Sequence, residues 1–184
     1  MTARMIRYNQ AISEALAEEM ERDPRVFVYG IDVGDHKRIF GSTAGLVERF
    51  GPERCFSTPL SEEALVGFGL GAALSGLRPV NVHIRVDFLL LAMNQLVNMV
   101  SSWRYGTAGI ATVPLVIRAV IGKGWGQSYQ HNKSLQSVFA HIPGLKVVMP
   151  TTPADAKGLL IAAIRDENPV LVLEHRLLYD VEGD

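Results

Sequence analysis

The chain has 184 residues, a length that holds one domain with room for a sizeable buried core. Apolar residues make up 48% and charged residues 20%, the composition of a globular protein, so disordered and collagen-like classes are excluded. Eighteen Lys and Arg against nineteen Asp and Glu leave a net charge of -1, which gives no basic footprint for nucleic acid or an anionic membrane surface.

The first periodic segment covers residues 6–22, where Tyr8, Ile12, Leu16 and Met20 recur at helical spacing until Asp23-Pro24 stops the helix. Val26-Phe27-Val28-Tyr29-Gly30 is a short β-prone run suited to a strand buried on both faces. Residues 31–45 are rich in glycine and charge without periodicity, which marks a surface or site loop, and a short helix over 44–50 follows. Next come an extended segment at 55–57, a long helix over 61–75 stopped by Gly76, and a strand over 79–84. The uncharged stretch 88–103 is shorter than the ~20 apolar residues of a membrane span and carries Asn94, Gln95 and Asn98. It reads as a buried helix over 87–105.

A strand over 114–120, a glycine-rich loop over 122–127, a short helix over 135–141 and a strand over 146–149 continue the pattern. Thr152-Pro153-Ala154-Asp155 is a capping box with Pro in the first helical position, starting a helix that runs to residue 165. The last strand covers 170–173, and too few residues follow it for a second domain. Strands separated by helices require crossover connections, so the expected fold is a single doubly wound α/β domain over 1–184, its mainly parallel sheet covered on both faces.

Several motifs fail on inspection. Gly67-Phe68-Gly69-Leu70-Gly71 mimics a dinucleotide fingerprint, but the helix already starts at Pro59-Leu60-Ser61-Glu62, which puts the glycines inside it. Gly122-Lys123-Gly124-Trp125-Gly126 lacks the spacing and the Ser or Thr of a phosphate-binding loop. The five histidines show no zinc-ligand spacing, and no serine sits in a nucleophile elbow. Cys55, the single cysteine, cannot form an internal disulfide, and with no signal peptide at the start of the chain the expected compartment is reducing, the cytoplasm. Glu62 has two readings: an acid in the first turn favoured by the helix dipole, or a carboxylate in a dry cleft able to hold a proton near neutral pH. His131 on its own is an ordinary solvated loop residue.

A set of short runs carries a resemblance. Phe50-Gly51-Pro52-Glu53-Arg54, Thr58-Pro59-Leu60-Ser61-Glu62 and Gly76-Leu77-Arg78-Pro79-Val80 stand in order along the first half. Val113-Pro114-Leu115-Val116-Ile117-Arg118, Gln130-His131, Pro143-Gly144-Leu145-Lys146-Val147-Val148, Asp155-Ala156-Lys157-Gly158-Leu159 and Ala163-Ile164-Arg165-Asp166 follow in the second. Together, over about residues 5–180, they resemble the beta subunit of thiamine-diphosphate-dependent 2-oxo acid dehydrogenases of the pyruvate type, in its transketolase-like pyrimidine-binding domain.

The resemblance implies roles. Glu62 is expected to hydrogen-bond the aminopyrimidine ring and give the proton that lets the cofactor's own amine act as a base. Leu60 and Phe88 are expected to pack on the cofactor, and His131 to bind substrate or acyl acceptor. Backbone carbonyls of Leu115, Ala163, Ile164, Asp166 and Asn168 map to a structural potassium site. The chain lacks a Gly-Asp-Gly…Asn motif for magnesium and diphosphate, so an alpha-type partner chain is expected to supply it, in a hetero-oligomer with two copies of each. The family's C-terminal domain does not follow in this sequence, so either the sequence is a truncated piece or a naturally split enzyme supplies that domain, if needed, on a separate chain.

The sequence also departs from the family. Gly30-Ile31-Asp32-Val33 lacks the first acid of the usual Gly-Glu-Glu/Asp-Val, Asn132-Lys133 replaces Ser-Gln, and Asn94 replaces an acid. These departures keep a catalytically silent scaffold or regulatory relative open as an alternative. A nucleotide-binding α/β module is the other.

Overall fold

Val26–Gly30 is buried along its whole length, and so are Arg78–His83 and Val116–Ile121, a pattern that only a sheet covered on both faces produces. The computed structural model of the chain describes residues 4–123 and 128–184. Its first half contains β1 (Ile6–Arg7), α1 (Tyr8–Arg22), β2 (Val26–Gly30), α2 (Leu46–Phe50), β3 (Cys55–Ser57), α3 (Glu62–Leu74) and β4 (Arg78–His83). The second half contains α4 (Val86–Leu89), α5 (Trp103–Gly106), β5 (Val116–Ile121), α6 (Gln136–Ala140), β6 (Lys146–Val148), α7 (Pro153–Arg165), β7 (Val170–His175) and β8 (Glu182–Gly183). Six strands form one sheet in the order β3-β2-β4-β5-β7-β6, every neighbouring pair parallel. β1 and β8 form a separate antiparallel pair.

Helices cover both faces, as the doubly wound expectation requires. On one face Ile12 and Leu16 of α1 and Leu160 and Ile164 of α7 pack on Val28, Val80, Val116 and Val172 of the sheet. On the other, Val66 and Leu70 of α3, Leu89 of α4 and Phe139 of α6 pack on Ile117, Ala119 and Leu171. Each such side chain contributes about 1.5–3 kcal/mol by leaving water. α1 and α7 are also joined by Glu19, a buried carboxylate that accepts hydrogen bonds from Arg22 and Arg165. The Arg78 guanidinium closes the end of α7 by donating to the carbonyls of Ile164, Arg165 and Asp166.

Local chemistry explains the boundaries. α1 stops where the Asp23 carboxylate accepts from the Arg25 backbone and side chain, an arrangement that holds its pKa down at about 2. α7 starts with Thr152 Oγ1 accepting from the Asp155 N–H at 3.1 Å and Pro153 in the first turn. The three glycines do lie inside α3, and Gly69 has a packing reason. A Cβ there would meet the Tyr29 hydroxyl at 2.4 Å and Leu115 Cδ1 at 2.8 Å.

The expected single helix over 87–105 is corrected. α4 gives way to a 3-10 turn at Leu90–Ala92, a π-helical turn at Gln95–Val100, and then α5. The Ser101 and Ser102 hydroxyls both donate to the Val97 carbonyl at 2.9 Å, competing with the regular ladder and widening it. Nor is the segment buried all round, since Leu91 and Tyr105 are exposed. β7 runs two residues beyond expectation, to His175, because Glu174 is neutralised in place. Its carboxylate takes a bidentate grip from Arg118 at 2.6 and 2.9 Å, each side chain 1% exposed. Among the described residues no helix is long and apolar enough to cross a membrane.

Two stability predictions arise. Gly69→Ala forces the Cβ against Tyr29 and Leu115 and should cost about 1–3 kcal/mol in denaturant unfolding, although Ala is the better helix former. Arg118→Met strands a buried carboxylate and should cost about 3–5 kcal/mol, while Arg118→Met with Glu174→Leu should recover most of the loss. Equal stability of the single and double variants would show that the pair is not coupled.

Candidate functional site

The strand order reverses between β2 and β4: the chain moves from β2 outward to β3, then returns to lay β4 on the other side of β2. At such a switch point the connections leave the carboxyl ends of the two strands in opposite directions and open a crevice. A cavity of about 870 Å³ lies there, walled by Ile31 and Asp32 after β2 and by His83, Ile84 and Arg85 after β4.

Leu60, Glu62, Phe88 and His131, from three segments far apart in sequence, all line this cavity. Pro59-Leu60 turns the chain in from β3, so that Glu62 opens α3 at the cavity edge. The Glu62 carboxylate is half-buried, and no described residue hydrogen-bonds or ion-pairs with it. Phe88, on α4, presents a half-buried ring, and the His131 imidazole meets it edge-on with centroids 5.1 Å apart. His131 Nδ1 is buried without a hydrogen-bond partner among the described residues, as is His83 Nδ1. Unpartnered polar atoms around one cavity are what a ligand or ordered water satisfies. An aromatic face, an aliphatic side chain, a carboxyl group and an imidazole on one wall match the needs of a flat, basic heteroaromatic ring, so these residues fit an aminopyrimidine.

The loop carrying His131 is tied down by Lys133, whose ammonium reaches Asp87 Oδ1 at 3.3 Å and the Tyr129 carbonyl at 3.1 Å. The glycine-rich loop marked in the sequence at 122–127 lies largely outside the described residues, which include only Gly122 and Lys123 of it.

Residues that sequence reasoning did not single out complete the wall. His83 is fully buried, with Nε2 2.7 Å from Asn81 Oδ1, and burial pushes its pKa down to about 4, so it is neutral at pH 7. Lys37, Phe40, Arg85 and Arg176 bring three cations and one ring to the same cavity. The loop over 31–45 does line the site, and its backbone is strained: Asp32, Arg38, Ile39 and Phe40 all have positive φ, and Gly41 continues the left-handed turn. Each L-residue in that conformation costs roughly 1–2 kcal/mol. Ion pairing of Arg38 with Glu48 at 2.6 Å and donation from Asn9 Nδ2 to the Phe40 carbonyl at 3.0 Å hold the turn. Charge and glycine content marked the loop, but nothing in the sequence predicted left-handed backbone at three consecutive non-glycine residues.

Leu115, Ala163, Ile164, Asp166 and Asn168 gather elsewhere, where β5 and β7 begin and α7 ends. The Leu115 carbonyl accepts from the Val170 N–H at 3.0 Å, and those of Ile164 and Asp166 accept from Arg78. Each carbonyl oxygen retains a second lone pair, and a set of carbonyls is the donor type that hard cations take.

Comparison with known proteins agrees with this architecture. Residues 4–182 match the family model described as transketolase, pyrimidine binding domain. The chain is 49% identical over 172 residues to a protein named 2-oxoisovalerate dehydrogenase subunit beta from Bacillus subtilis, covering 94% of this chain and 53% of that one. It is 43% identical over 192 residues to acetoin:2,6-dichlorophenolindophenol oxidoreductase subunit beta of Cupriavidus necator, covering 99% and 56%. It is 46% identical over 173 residues to the chloroplastic pyruvate dehydrogenase E1 component subunit beta-3 of Arabidopsis thaliana, covering 94% and 43%. The chain thus spans about half the length of these relatives. A solved structure titled split gene transketolase, inactive beta4 tetramer, shares the fold with a TM-score of 0.74 at 21% identity, over 93% of this chain and 51% of that one. On its sequence, its sheet order and the place of its cavity, the chain belongs to the transketolase pyrimidine-binding domain family.

Proposed function

We propose that this chain supplies the pyrimidine-binding half of a thiamine-diphosphate-dependent enzyme that acts on a 2-oxo acid, by decarboxylation with acyl transfer or by moving a ketol unit. The observation that carries the reading is the convergence of Leu60, Glu62, Phe88 and His131 on one switch-point cavity. Thiamine diphosphate, when bound, supplies an acidic thiazolium carbon as nucleophile and an electron sink. Glu62 holds a proton at the far ring nitrogen of the aminopyrimidine, where an acid shifts basicity to the exocyclic amine. Phe88 packs on the ring face, a contact worth about 0.5–1.5 kcal/mol beyond burial. His131 stands beside it as a donor or acceptor for substrate or acyl acceptor.

No group of three or more His, Cys, Asp or Glu able to hold a metal ion occurs among the described residues. We assign magnesium and the diphosphate to an alpha-type partner chain, with two copies of each subunit in the assembly. The carbonyls near Arg78 are assigned to potassium. The assembly belongs in the cytoplasm, where the buried Cys55, its thiol pushed up to about 11 by burial, stays reduced.

Glu62→Gln keeps size and a hydrogen bond but removes the acid. In the reconstituted complex cofactor should still bind, while hydrogen-deuterium exchange at the thiazolium carbon slows by about 10²–10⁴-fold. Exchange within twofold of wild type would return Glu62 to a helix-start residue. Titration calorimetry tests the split site: this chain alone should bind thiamine diphosphate and magnesium weakly and gain affinity with its partner. Micromolar binding by the chain alone would sink the idea.

A further inference from the structure

His131 reaches the cavity on a short segment that needs outside contacts to keep its shape. It ends a 3-10 turn at Tyr129–His131, and Ser128 just before that turn has φ of 68° and ψ of 174°. That conformation is nearly confined to glycine, and in a serine it persists only where surrounding contacts over-determine it. Inside the segment the His131 N–H donates to the Ser128 carbonyl at 3.4 Å, and the Asn132 side-chain amide donates to the same oxygen. These bonds are local. They shape the turn without docking it on the rest of the molecule.

Three contacts do the docking. The Gly122 N–H, just past β5, donates to the Lys133 carbonyl at 3.1 Å. The other two join the segment to α4 through close neighbours on each side: the His131 imidazole meets the Phe88 ring edge-on at 5.1 Å, and the Lys133 ammonium reaches Asp87 Oδ1 at 3.3 Å. Asp87 directly precedes Phe88, and Lys133 follows two positions after His131, so the ring contact and the ion pair form a clasp with two fixed points. A ring contact alone leaves the imidazole free to swing, and the second point removes that freedom. The same ammonium takes the Tyr129 carbonyl at 3.1 Å, gathering both ends of the segment onto one group.

The Asp87 side chain is 5% exposed, its Oδ2 has no hydrogen-bond partner among the described residues, and Arg85 shares its field. A buried carboxylate that loses its ammonium must be hydrated instead. Loss of Lys133 therefore favours a segment lifted from α4, which lets water in, over the docked one. At position 133 the resembled family carries glutamine, whose neutral amide offers Asp87 no charge, so the ionic clasp is a departure of this chain. We propose that Lys133 is a positioning residue: clasped to Asp87, it holds the His131 imidazole against Phe88 at the cavity wall, oriented toward substrate or acyl acceptor. What His131 meets there rests on the function proposed above, and the clasp itself does not.

The first arm of the test needs no turnover. In the full chain labelled with ring ¹³C-histidine, the His131 resonance, identified by its loss in His131→Asn, carries the ring-current shift of Phe88, and Phe88→Leu gives its position without that ring. Lys133→Met removes the ammonium and keeps the stem, and should move the resonance at least halfway to the Phe88→Leu position. Lys133→Arg, which restores the charge, should return it, and the resonances of His36 and His141, which do not line the cavity, should stay in place. Lys133→Gln should shift it the same way by less, and stands in if the Met variant fails to fold. The second arm uses the complex with the alpha-type partner, thiamine diphosphate and magnesium, with 2-oxobutyrate as substrate and lipoamide as acyl acceptor. Whichever kcat/KM His131→Asn lowers should fall by about ten- to a hundredfold in Lys133→Met. Exchange at the thiazolium carbon, which depends on Glu62, should stay within about twofold, and Lys133→Met should change nothing further in a His131→Asn background. A His131 resonance that stays fixed in both Lys133→Met and Lys133→Gln overturns the clasp. A loss that adds to that of His131→Asn overturns action through His131. A clasp seen by resonance, in a complex that turns over no 2-oxo acid, keeps the positioning and removes the proposed reaction.

Discussion

The buried pair between Arg118 and Glu174 is the constraint on which the upper half of the molecule depends. Two opposite charges at the centre of a parallel sheet stay there only if their geometry and hydrogen bonds replace what water provided. Here the replacement reaches outward. The Tyr179 hydroxyl donates to the Glu174 carboxylate, and Arg118 donates to the Ser42 hydroxyl at 2.8 Å. Tyr179 stacks on Tyr8 at the start of α1, and its ring receives Arg176. One ion pair therefore fixes β5 to β7, the turn after β7, the loop after β2 and the start of α1. Those are the segments that surround the basic side of the cavity. The pair sets shape beneath the site, and the strained turn at 38–41 is tolerated because its next residues are pinned.

The sequence made the sheet legible because parallel strands buried on both faces are continuous apolar runs, and Val26–Gly30 and Cys55–Ser57 coincide with expectation. It failed where charge enters the core. Glu174 ended the apolar run on paper, yet it is a strand residue, since the group that neutralises it is 56 positions away. The segment over 87–105 was misread for a related reason: periodicity reports which face is apolar, but not that two adjacent serine hydroxyls redirect the helical hydrogen bonds. The site divides in the same way. Glu62 and His131 belong to short runs that carry a recognisable pattern, whereas Arg85 and Arg176 are separated by 91 positions and come together at Phe40.

The other side of the cavity has a different character. Leu60 is 76% exposed, and Leu91 beside the same cavity also faces outward, so an apolar rim borders the half of the site that holds Glu62. Such a rim beside an incomplete polar site is the signature of a surface meant to be covered. A chain laid over it dries the Glu62 carboxylate and strengthens every electrostatic contact below. The division of labour that we propose between two subunits thus has a physical basis in this one: the deep wall is self-sufficient, and the outer wall is not.

The all-parallel sheet also governs how the chain reaches this state. None of its five strand pairings can form as a local hairpin, because each requires a crossover to be laid down first. Contacts of that separation make for slow folding, and the apolar strands remain exposed while they wait for partners. The sheet answers with its ends: β3 and β6, the two edges, are three residues each, too short to template another chain. Brevity at the margins is therefore a safeguard against aggregation during synthesis, and lengthening either edge strand would expose the protein to it.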